Sequence, residues 1–145
     1  MTGVQTCALP ISPGGGNETI LLAEDESGIR VMTRAYLESL GYRVLEAADG
    51  SEAIARSLEY GGPIDLVLTD LLMPGFRGDS AIKVIRTHRP AIKAIFMSGY
   101  ADPDLAENSE SILYKPFDLP ELGRRLRSVL DVGSSNGARQ IDPAA

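Results

Sequence analysis

The run Ile64-Asp65-Leu66-Val67-Leu68-Thr69-Asp70-Leu71-Leu72-Met73-Pro74 constrains this chain more than any other stretch. From Ile64 to Thr69 every residue but Asp65 is apolar or β-branched, the composition of a strand covered on both faces in a parallel sheet. The run ends on a carboxylate, and Pro74-Gly75 follow with turn chemistry. Asp70 is therefore expected at the carboxyl end of a buried strand, the edge where open α/β sheets bind ligands. The plainer alternative is that Asp70 only caps a loop.

The flanking sequence supplies the partners such a strand needs. Thr19 to Ala23 reads as a short buried strand running into Glu24-Asp25-Glu26. Ile29, Met32, Tyr36, Leu37 and Leu40 recur at helical spacing up to Gly41. Tyr42 to Glu46 alternates as a strand, and Asp49 with Glu52 forms a capping box for a helix through Leu58. Asp79 is expected to cap a helix bearing Ile82, Val84 and Ile85, closed by Pro90. Ile92 to Met97 makes a fourth strand, and Ser111 to Tyr114 a brief fifth. Asp118 and Glu121 cap a last helix with Leu122, Leu126, Val129 and Leu130 on its apolar face. Strands alternating with helices argue for one parallel sheet with helices on both faces.

The ends of the chain read differently. Residues 1–11 lack either periodicity and look like the translation of a sequencing-library adapter, and residues 12–17 (SPGGGN) have linker composition, so 1–17 is expected to be a disordered leader. The domain is expected over 18–131, with 132–145 a disordered tail. The chain has 145 residues, room for one domain, and a net charge of -6, which disfavours nucleic-acid binding. No apolar run reaches the roughly 20 residues of a membrane span. One cysteine fits a reducing compartment.

Four of the five expected strands end in a polar group: Glu24 with Asp25, Asp70, Ser98 and Lys115. In a parallel sheet these ends share one edge and can converge. Two carboxylates about 4 Å apart repel by roughly 4 kcal/mol at an effective dielectric near 20, so three need a cation or raised pKa values. Oxygen ligands with room for water suit Mg2+, and no Cys or His constellation suggests zinc.

The elements LLAEDE, LTDLLMPG, MSGYA and YKPF, in that order, resemble the receiver domain of two-component response regulators, over roughly residues 18–131. The resemblance implies a flavodoxin-like, doubly wound α/β fold with a five-stranded parallel sheet in the order 2-1-3-4-5. A fourth helix, between Ser98 and Lys115, would be short or irregular. It implies Asp70 as phosphoacceptor, Asp25 as a direct Mg2+ ligand, Glu24 reaching the metal through water, and the main-chain carbonyl of Leu72 as a further ligand. Ser98 and Lys115 would each contact a phosphoryl oxygen, and Pro116 would follow a cis bond. The donor would be phosphohistidine on a histidine kinase or phosphotransfer domain, in trans or fused upstream. The implied setting is cytoplasmic, without nucleic-acid or membrane contact by this chain and with homodimerisation left open.

Two departures from the family pattern stand out. Its first acid is commonly Asp, where this chain has Glu24, and its aromatic switch position is occupied by Ile112. Within the family the leading expectation is a phosphorylation-controlled switch, set either in a stand-alone single-domain regulator or in the C-terminal receiver of a hybrid sensor kinase, with the adapter-like start and the GGGN linker favouring the hybrid. The rivals are a phosphorylation-independent docking module of the same fold and a Mg2+-dependent phosphatase of another α/β family. The Arg124, Arg125 and Arg127 group reads as a solvated helix face, and His88 as a helix-end surface residue.

Overall fold

The computed structural model describes residues 15–99 and 111–141. Its order is β1 (Thr19–Ala23), α1 (Ser27–Ser39), β2 (Arg43–Ala47), α2 (Gly50–Glu59), β3 (Leu66–Asp70), α3 (Gly78–Arg86), β4 (Lys93–Ser98), β5 (Ser111–Tyr114) and α4 (Leu119–Ile141). The five strands form one parallel sheet in the order β2-β1-β3-β4-β5, as the resemblance implies. The fourth helix expected between Ser98 and Lys115 falls mostly on residues 100–110, outside the described residues.

Strand alternation divides the core in two. Ile20, Leu22, Leu68, Met97 and Leu113 face α1 and α4, meeting Leu37, Leu122 and Leu126. Leu21, Val67 and Phe96 face α2 and α3, meeting Ala53, Ile82 and Ile85. Leu22, Leu68 and Phe96 lie at or below 1% exposure, each burial being worth roughly 1.5–3 kcal/mol. β1 and β3 are buried along their whole length, which explains their uninterrupted apolar sequence.

Several local expectations need correction. α3 begins at Gly78 with Arg77 at its N-cap position, and Asp79, expected as the cap, pairs in the first turn with Arg77 at 3.0 Å. Met32 and Val84 share the helical spacing of core residues but stand 52% and 38% exposed. α4 continues to Ile141, beyond Leu130, the last residue of its expected apolar face; no proline interrupts the ladder until Pro143, and an established helix propagates cheaply.

Nor is the arginine group of α4 simply a solvated face. Arg125 donates to the main-chain carbonyl of Ile112 at 2.7 Å, and Arg127 holds Glu18 at 2.7 Å. Arg127 also donates to the carbonyl of Gly15, while the Gly16 amide donates to the Leu40 carbonyl, so the end of the linker-like stretch is fastened to α1 and α4. His88 is exposed as expected, yet Nε2 lies 3.0 Å from Oγ of buried Ser57. Among the described residues no helix is long and apolar enough to cross a membrane.

Candidate functional site

In this strand order the chain winds outward in opposite directions from β1 and β3, leaving a crevice at their carboxyl ends. The acids sit there. Glu24 follows β1 directly, its amide still bonded to the Ala47 carbonyl of β2, so its side chain starts from a fixed backbone. Glu24 is only 1% exposed, whereas Asp25, next along, is exposed. Asp70 is the last residue of β3 and pairs with Met97, and the next amide, Leu71, donates to the Met97 carbonyl. The start of α3 lies over this point: the Gly78 amide donates to the Leu71 carbonyl, and a Cβ on Gly78 would stand 2.4 Å from the Asp70 carbonyl oxygen.

Carboxylate oxygens of Glu24, Asp25 and Asp70 lie within 4.8 Å of one another. Lys115 enters from the end of β5, where its amide is tied to the Ser98 carbonyl at 2.7 Å. Its Nζ donates to Asp70 Oδ2 at 3.2 Å and lies 4.0 Å from Glu24 Oε1. The bond from Lys115 to Pro116 is cis. Glu24, Asp25, Asp70 and Lys115, scattered over the sequence, are thus brought into one pocket. Ser98 is buried at the end of β4, opposite Tyr114. Leu72 lies in the loop two residues beyond Asp70, its side chain 48% exposed.

Burial pushes the Glu24 carboxyl above its usual range, the Asp70 charge adding to this and the Glu26 amide and Lys115 opposing it. Burial likewise raises Asp70, while Lys115 pulls it back down. One ammonium among three carboxylates leaves a negative excess in a partly desolvated pocket. Glu24 Oε2 accepts from the Glu26 amide at 3.1 Å, but the buried Oε1 has no hydrogen-bond partner. A buried carboxylate oxygen left unbonded is costly, and a hard cation bound by oxygens would satisfy it. The residues present therefore fit a divalent ion such as Mg2+, held by Glu24, Asp25 and Asp70.

The motif reading missed Arg30. From the first turns of α1 its guanidinium donates to the Glu24 main-chain carbonyl at 2.7 Å and to Glu46 at 3.3 Å. The available signal was a cation placed about one helical turn after the acid pair.

A family model described as response regulator receiver domain matches residues 20–127. The chain belongs to that family. It is a receiver domain of two-component signalling, of a kind consistent with a phosphoacceptor, and a switch more than a classical enzyme. This receiver is 39% identical over 121 residues to the sensor kinase CckA of Brucella abortus (strain 2308), across 80% of this chain and 13% of that protein. It is 33% identical over 116 residues to the response regulator receiver protein CpdR of the same organism, across 77% of this chain and 95% of CpdR. The crystal structure of the receiver domain from the hybrid histidine kinase CckA superposes with a TM-score of 0.68 at 37% identity, covering 77% of this chain and 98% of that one. A receiver domain from Clostridium thermocellum gives a TM-score of 0.72 at 28% identity, covering 81% and 97%.

Proposed function

We propose that this receiver takes a phosphoryl group from phosphohistidine onto Asp70. An Asp70 carboxylate oxygen attacks phosphorus in line, the phosphorus–nitrogen bond breaks, and the imidazole nitrogen leaves with the electron pair and takes up a proton. Lys115 offsets charge on the equatorial oxygens, and Ser98 would contact one of them. Glu24, Asp25, Asp70 and the Leu72 carbonyl would hold Mg2+, which when bound neutralises phosphoryl charge. The observation that carries this reading is the 3.2 Å contact of Lys115 Nζ with Asp70 Oδ2 beside the two other acids. Hydrolysis of the acyl phosphate in place would give slow self-dephosphorylation.

Modification of Asp70 would shift an equilibrium between two surface states. Ile112, partly buried against the α2–α3 core, stands where an aromatic would be expected, so the shift would not proceed by an aromatic swing at that position. The partner would be a histidine kinase or a phosphotransfer domain in the cytoplasm. Similarity to CckA supports a place within a hybrid kinase, and the genomic sequence ahead of residue 17 tests it: an in-frame kinase region is the expected finding. The central test is incubation with acetyl phosphate and Mg2+. A phosphoryl mass shift mapped to Asp70 and lost in Asp70→Asn is expected; no shift in the native chain would leave a docking module. Phosphoester turnover that survives Asp70→Asn would instead point to a phosphatase.

A further inference from the structure

The helix that follows the acid pair starts without the usual stop. Glu26 occupies the N-cap position of α1 yet makes no side-chain capping bond, and the first turn carries no acidic residue. The Glu24 amide is tied to β2, but Asp25 beyond it is exposed and the Glu24 carboxylate is hydrogen-bonded only through Oε2, so the aim of both acids depends on the rest of the turn. What fixes the turn comes from one turn further along. Arg30, with a side chain only 19% exposed, reaches back to the Glu24 main-chain carbonyl at 2.7 Å. Glu46 orients it from β2, accepting from Arg30 Nε at 3.3 Å, and Arg34 bonds the other oxygen of Glu46 and continues to Glu38. Leu22 pairs with Glu46 across β1 and β2, so this chain of charges starts beside the strand that delivers Glu24.

We propose that Arg30 is a positioning residue for the cation pocket: its bond to the Glu24 carbonyl, braced by Glu46, sets the β1–α1 turn that aims Glu24 and Asp25 at Asp70. This rests on the reading of the acid cluster as a divalent-cation site. A planar guanidinium can hold two acceptors at once in fixed directions, which a lysine ammonium on a flexible stem does poorly. Groups that orient metal ligands without touching the ion typically change affinity by about 10- to 100-fold when removed.

The test is binding of Mn2+ alone, followed by water proton relaxation, in the full chain. Arg30→Ala and Arg30→Lys are each expected to weaken binding by about tenfold or more. Arg43→Ala, which removes the same charge from the exposed start of β2 away from the turn, should change it by less than about twofold. Glu46→Gln serves as a second variant if Arg30→Ala fails to fold, and should give an intermediate loss. Without metal, hydrogen exchange at the Glu26 amide should quicken in Arg30→Ala and stay unchanged in Arg43→Ala. Native-like Mn2+ affinity in Arg30→Ala, or equal losses in Arg30→Ala and Arg43→Ala, overturns the role of Arg30 while leaving the cation site intact. No Mn2+ binding by the native chain overturns both.

Discussion

Lys115 Nζ lies 3.2 Å from Asp70 Oδ2, across 45 positions of sequence, and 4.0 Å from Glu24 Oε1. The ammonium is the only cation among these three carboxylates for which a contact is described, so its removal should be felt most when no metal is present. Lys115→Met is expected to lose about 1 kcal/mol at neutral pH in the absence of divalent ions, allowing for an ammonium that is one-third exposed. Urea denaturation checks this, and added Mg2+ should recover more stability in the variant than in the native chain. Identical midpoints without metal would mean that the lysine does not offset the acids.

Gly78 carries a steric requirement that bears directly on the site. A Cβ there would meet the Asp70 carbonyl oxygen at 2.4 Å and Thr69 Oγ1 at 3.0 Å, with main chain on one side that cannot swing away. Gly78→Ala should cost about 1–3 kcal/mol and slow phosphorylation by acetyl phosphate, since the backbone carrying Asp70 must move. A fully stable, fully active alanine variant would show that α3 can lift off the strand end freely.

The pair of Glu18 and Arg127 gives a pH dependence of definite sign. The Arg127 guanidinium holds the Glu18 carboxyl below its ordinary value of 4.5, against the opposing effect of burial. A depressed carboxyl stabilises the fold above its unfolded pKa and loses that contribution as pH falls through the folded one. Glu18→Gln should therefore be less stable than native by about 0.5 kcal/mol at neutral pH, for a pair that water partly screens, with the gap closing in acid. Thermal melts from neutral pH down to about pH 3 test it, and a gap that widens on acidification would refute the pairing.

Arg89 closes the end of α2 from the far side of α3. It donates to the carbonyl of Ser57 in the last turn of α2 at 3.1 Å, a group the helix end leaves needing a partner, and to those of Tyr60 and Gly62 just past the helix at 2.8 and 3.0 Å. Arg89→Ala is expected to cost about 2 kcal/mol and Arg89→Lys to recover little, because a point donor cannot span three acceptors. Chemical denaturation of both variants decides it.

The residues that sequence reasoning located are those whose position follows from strand ends. Glu24, Asp25 and Asp70 stand where a buried apolar run stops on a charge and Lys115 just past the short, partly exposed β5, and a parallel sheet leaves such ends only one edge to share. Asp79 was misread because an aspartate near a helix start serves equally as cap or first-turn anion, and the neighbouring Arg77 decided between them. Met32 and Val84 obey the helical period yet face outward, since period fixes spacing and not the width of the buried stripe. Arg30, Arg89 and Arg127 were not legible at all as structural ties. Their partners are main-chain carbonyls up to 112 positions away and acids up to 109 away, and long side chains reach in directions that local pattern does not encode.

The fastening of Gly15 and Gly16 to Leu40 and Arg127 lies where β1 begins, one strand length from the acids, on the order of 16 Å. The chain therefore enters β1 at the end of the strand opposite the acids. On the phosphoacceptor reading, a donor approaching Asp70 would land on the other rim of the sheet, clear of this fastening.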